Sequence, residues 1–162
     1  MTKSFSLTVT LLTLAGTLPF LASAISALYS REIAGLIFGN EEKAGFVSML
    51  AGISLLGYAI SILSFMSGIR WGQELVTKTE RIRPHIVTLA VLPAILGWLG
   101  LMMAFIPGPF MAGALFVLAA AFLLLLAWDF AAGYAHWYLQ LRVIATLCAS
   151  ISLIAAGFGY LF

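Results

Sequence analysis

Charge is what this sequence lacks most. Only 9% of its 162 residues are Asp, Glu, Lys or Arg, against about one quarter in soluble domains. A chain this short has too little interior to hide an apolar share of 63%, and a mean hydropathy of +1.12 excludes an ordinary water-facing surface. Cysteine is nearly absent: Cys148 stands alone, so it forms no intramolecular disulfide and reads as a small packing residue. The two histidines, His85 and His136, are too few for a metal site, and no spacing motif supports a haem shared between them. No P-loop, HExxH, nucleophile triad or pair of catalytic carboxylates is present, so no catalytic residue, metal or cofactor is assigned. The net charge of +2 does not suggest nucleic-acid binding. What remains is an integral membrane protein, with membrane lipids as its first partners.

The gaps between charges set the spans. Residues 4–30 and 44–69 are uncharged, residues 86–128 form one uncharged run of 43, and residues 143–162 close the chain. A hydrocarbon core of roughly 30 Å needs about 20 helical residues, so the long run is two helices. Its break falls at Pro107-Gly108-Pro109, where two prolines remove backbone donors and the glycine permits a reversal. The expectation is an all-α integral membrane protein in a single transmembrane domain over residues 1–162. It is a bundle of five transmembrane helices near 7–29, 46–69, 86–106, 110–130 and 141–160. Runs such as Phe122-Leu123-Leu124-Leu125-Leu126 lack the period-two alternation of a β-barrel.

Alternating sides place Lys3, Arg70, Lys78, Arg81, Arg83 and Arg142 together, against only Arg31 and Lys43. The positive-inside rule then gives an N-in/C-out topology, and a bacterial inner membrane is the expected home. The basic second loop meets anionic headgroups, or alternatively a partner. Residues 30–45 carry Ile33, Leu36, Ile37 and Phe38 between charged ends, which fits either one amphipathic turn on the outer surface or a plain loop. Ala22-Ser23-Ala24 also fits a secretory cleavage site before Ile25. Against that, the uncharged stretch runs on to Tyr29, a full spanning length.

Small residues mark helix contacts in lipid, where close backbone approach and interhelical hydrogen bonds drive association. Ser54, Gly57, Ser61, Ser64 and Gly68 form one stripe of the second span. Ala90, Pro93, Gly97, Gly100 and Ala104 repeat the spacing in the third, and Ala145, Ala149, Ser152, Ala156 and Gly159 in the fifth. Packing within the bundle is the plain expectation; a stripe left free to dock another membrane protein, or a second copy, is the sharper one. Pro19 and Pro93 should kink their helices and free a carbonyl each.

The polar constellation consists of Arg70, Trp71, Glu74, Asp129, His136 and Arg142, all near the cytoplasmic ends of spans two, four and five. Arg70 and Glu74 are one helical turn apart and can pair. Asp129 is the carboxylate most readily drawn into the interface, and burial costs require it to pair with Arg142 or Arg70. The cluster is either an anchor for helix ends or a proton or anion site. Trp71, Trp128, Trp137, Tyr134 and Tyr138 suit an aromatic belt at headgroup level, and a quinone or lipid-head pocket walled by Arg70 and the tryptophans is the more specific alternative.

Leu63-Ser64-Phe65-Met66-Ser67-Gly68-Ile69-Arg70-Trp71-Gly72, then Trp137-Tyr138-Leu139-Gln140-Leu141-Arg142, together with Gly16-Thr17-Leu18-Pro19-Phe20, resemble the signature of the family containing transmembrane protein 69. The resemblance covers nearly the whole chain; Ser67 stands where the family is usually richer in glycine. It implies a multi-span domain of unknown function in bacterial and mitochondrial inner membranes, retains the first helix, and brings no activity, cofactor or partner. The expected function is a non-enzymatic accessory or assembly component acting by helix contact. The alternative is a small proton or anion transporter or channel using Arg70, Asp129 and Arg142, and a membrane-embedded enzyme is a third reading.

Overall fold

The computed structural model describes residues 7–77, 82–106 and 109–161, and every regular element among them is helical. The chain order is α1 (Leu7–Ala15), α2 (Leu18–Leu28), α3 (Ser30–Phe38), a 3-10 turn at Glu41–Lys43, α4 (Ala44–Thr77), α5 (Pro84–Ala104), α6 (Phe110–Ala131) and α7 (His136–Gly159). Five stretches are long and apolar enough to cross a membrane: Leu7–Leu28, Glu41–Val76, Pro84–Ala104, Phe110–Ala131 and His136–Gly159. Lys3, Lys78, Arg81, Pro107, Gly108 and Phe162 lie outside the described residues, so the proline-glycine reversal and half of the basic side fall there.

The first span is interrupted rather than continuous. Pro19 enters at the start of α2, where its ring cannot continue the hydrogen-bond ladder of α1. At the break the Gly16 carbonyl accepts a 2.8 Å hydrogen bond from the Tyr58 hydroxyl on α4, and the Thr17 hydroxyl donates 2.7 Å to the Leu14 carbonyl. The Tyr58 bond thus satisfies one backbone carbonyl at the break from within the protein, as hydrocarbon surroundings would require. Pro93, by contrast, sits inside a continuous α5.

Two boundaries differ from the sequence expectation for one reason: charges do not end these helices. α4 runs past Ile69 to Thr77, 34 residues in all, or about 51 Å at about 1.5 Å per residue, well beyond the hydrocarbon thickness. α7 begins at His136 rather than residue 141, because the Arg142 charge is neutralised inside the bundle. Residues 30–38 form a nine-residue helix packed on α4 through buried Ala34, with Leu36 and Ile37 exposed.

The spans close into a ring. α2 packs on α4, α4 on α5, α5 on α6, α6 on α7, and α7 returns to α2. The centre is filled by Phe20, Leu55, Leu56, Leu63, Leu115, Leu118, Phe122 and Leu153, with Phe20 edge-on to both Tyr58 and Phe122. Lipid is as apolar as leucine, so dispersion between tightly fitted surfaces holds this core.

The small-residue stripes part company here. Ala90, Pro93, Gly97 and Gly100 of α5 are buried; a Cβ on Gly97 would stand 3.0 Å from Ile60 of α4. Ala149, Ser152 and Ala156 of α7 are buried too. The α4 stripe does not pack inside. Gly57, Ser61 and Gly68 are exposed and Ser64 is only half-buried. A Cβ on Gly57 or Gly68 would meet nothing within 4 Å. Ser54 alone reaches across, accepting a hydrogen bond from Ser23 of α2. The reason is volume: α4 turns Leu55, Leu56 and Leu63 to the core, which leaves Gly57, Ser61 and Gly68 on the outer side of the ring.

Candidate functional site

The polar constellation assembles where α4, α6 and α7 come together. α6 ends at Ala131, Gly133 turns the chain at φ +73, and α7 starts at His136, so a short reversal sets Asp129 beside Arg142 on adjacent helices. Arg142 donates from Nε at 2.8 Å and from Nη2 to the same Asp129 oxygen, Oδ2. Both side chains are buried, Asp129 at 2% and Arg142 at 7% exposure. Of the two partners open to Asp129, Arg142 is the one that takes it. A desolvated pair of this kind is tolerable because each charge cancels the other and the hydrogen bonds are charge-assisted.

Arg70 does something else. Its guanidinium lies 4.7 Å over the Trp128 ring and 5.7 Å from the Tyr134 ring, a cation held on aromatic faces. Its Nε is buried with no hydrogen-bond partner, and among the described residues Arg70 enters no ion pair. Tyr134 is fixed from its far side by a 2.6 Å hydrogen bond to Gln73 and packs edge-on against Tyr138. The Arg70 charge is therefore positioned but not neutralised by any described carboxylate.

Glu74 corrects the expected pairing with Arg70. It is 3% exposed and accepts from Arg83: Nε at 2.9 Å, Nη2 at 2.6 Å and the backbone N–H at 2.9 Å. Arg83 precedes the proline that opens α5, so Glu74 ties the extended end of α4 to the start of the next span. The hydrogen bond that the Arg83 guanidinium donates to this carboxylate holds the guanidinium above its ordinary pKa. Trp71 and His136 are exposed; His136 lines a shallow groove with Thr10, Phe130 and Gln140 and joins neither pair. Among the described residues no three of His, Cys, Asp and Glu stand close enough to hold a metal ion.

Gln73, Tyr134 and Tyr138 complete the cluster without having been singled out as polar partners. The spacing of Tyr134 and Tyr138 carries a signal for the two tyrosines, since their rings meet edge-on, but that spacing suits an aromatic belt equally well. Chemically the assembled site offers one self-neutralised buried pair, one tethering pair at a helix end, and one aromatic-bedded cation with donor capacity to spare. A model of the family described as "Protein of unknown function (DUF3429)" matches residues 6–158. No curated protein and no solved structure matches the chain.

Proposed function

Because the chain belongs to the DUF3429 family, whose own description leaves function open, we propose that it is an accessory or assembly component of a larger membrane complex, acting by helix contact. The observation that carries this reading is the outward face of α4. Gly57, Ser61 and Gly68 lie on the lipid side of the ring, with open space above both glycines. Smooth small-residue faces let another helix approach to backbone distance, and serines add interhelical hydrogen bonds. Here Ser61 donates to its own Gly57 carbonyl at 2.9 Å, so its oxygen keeps acceptor capacity for a neighbour.

The buried Asp129–Arg142 pair supports anchoring over transport, since both charges are consumed in one another. On the motifs around Arg70, Arg142 and Pro19 we place the chain with transmembrane protein 69, in an inner membrane with its amino terminus inside. Ser61→Leu tests the contact reading. The isolated variant should melt like the unmodified protein, because the side chain points away from the core, yet lose the membrane protein that co-purifies with the wild type. A variant that retains every co-purifying component would overturn the assignment.

A further inference from the structure

A second feature is independent of the α4 face. Between α1, α2, α4, α6 and α7 lies a cleft of about 450 Å³, within the range of small-molecule sites. Its walls include Phe20, Ile62, Met66, Phe122, Ala145 and Ala149. Thr13 and Thr17 also line it, but their hydroxyls are spent on the Val9 and Leu14 carbonyls, so apart from the Thr146 hydroxyl the deep walls present hydrocarbon. Leu12 and Phe65, which also line the cleft, are 68% and 66% exposed, which opens it sideways to the bilayer rather than to water.

The cleft carries its charge at one end. Tyr138 and Arg142 stand there, and the bonds of Arg142 to Asp129 use Nε and Nη2, leaving Nη1. Along α7 the lining runs from Tyr138 to Ala149, roughly 16 Å at the helical rise, about half of a hydrocarbon core of roughly 30 Å. That is the depth of one leaflet. Just beyond the polar end is Arg70: it follows the lining residue Met66 by one turn on the same face of α4, and its guanidinium lies near the ring of Tyr134, which stands in the reversal before α7 and touches the Tyr138 ring. Arg70 brings a cation that no described carboxylate neutralises and a buried Nε with no partner.

We propose that this cleft is a site for one anionic phospholipid: an acyl chain lies against Phe20, Met66 and Ala149, an ester carbonyl accepts from Arg142 or Tyr138, and the phosphate meets Arg70. Length favours an acyl chain of one leaflet. The already balanced Arg142 suits a neutral carbonyl, whereas Arg70 suits the anion.

The test is native mass spectrometry of the full chain released from bilayer discs of equal phosphatidylcholine and phosphatidylglycerol. The wild type should retain one phosphatidylglycerol per chain. Arg70→Gln should keep a lipid but lose the preference by about fivefold, the factor for one basic residue at a membrane surface. Thr13→Phe should empty the cleft of either lipid, and Ala145→Leu serves the same purpose if the first variant fails to fold. Equal retention of the two lipids by the wild type, or unchanged retention in the filling variants, would overturn the site. Displacement of the lipid by a stoichiometric isoprenoid quinone would overturn it as well.

Discussion

Removing Arg142 should be among the most damaging single changes to this protein. Asp129 is 2% exposed, and both hydrogen bonds described for its carboxylate come from Arg142. Arg142→Met keeps much of the side-chain volume but leaves a carboxylate with neither water nor a countercharge. Breaking a buried pair from one side costs about 3–5 kcal/mol, whereas replacing both partners by apolar groups is close to neutral or stabilising. For a chain of this size each kcal/mol moves Tm by about 2–4 °C, so the single variant should melt roughly 6–20 °C below the wild type. Arg142→Met combined with Asp129→Leu should recover most of that loss. Asp129→Asn should be milder than Arg142→Met, because the amide oxygen still accepts from the guanidinium. The assay is a thermal melt in mild detergent, read as a double-mutant cycle. Strict additivity of the two single changes would refute the pairing argument. A variant Asp129→Asn with wild-type stability that abolishes proton-dependent flux in liposomes would move the cluster from anchor to transport site.

Glycines on the two sides of the ring should respond with opposite signs. Gly57→Ala and Gly68→Ala meet open space and should stabilise the isolated protein by about 0.5–1 kcal/mol each through helix propensity, seen as a raised Tm. Gly97→Val, whose Cβ would stand 3.0 Å from Ile60, should cost about 1–3 kcal/mol by overpacking. Tyr58→Phe removes the bond to the Gly16 carbonyl and should cost about 1 kcal/mol, with faster hydrogen exchange at residues 16–20 as the local signature. Glu74→Gln should loosen the connection between α4 and α5, measured as faster proteolysis around Arg83. Its effect on global melting should be small, because the Arg83 side chain is 51% exposed.

Much of the architecture was legible because charges are rare. Four uncharged runs, the longest of them read as two helices, became five apolar spans, and Pro19 announced the interruption that Tyr58 bridges. The errors share an origin, since a charge was treated as a boundary. Arg70 did not stop α4, as nothing between it and Thr77 breaks a helix, and Arg142 did not delay α7, as Asp129 cancels it. Periodicity located the small-residue stripes but not their direction. A stripe names a face, and which way the face turns depends on the bulk opposite it. On α4 that bulk is Leu55, Leu56 and Leu63, which took the core. The Glu74–Arg83 bond joins residues at two different helix ends, and the cleft exists only once α1, α2, α4, α6 and α7 meet, so neither left a linear trace.

The contact role itself is tested most directly by a photo-reactive residue placed at Ser61 in the native membrane, with the equally outward Leu124 of α6 as reference. The account predicts a discrete adduct with one different membrane protein from position 61, none from position 124, and loss of the adduct when Gly57 is changed to Leu. Lipid adducts alone from both positions would contradict it.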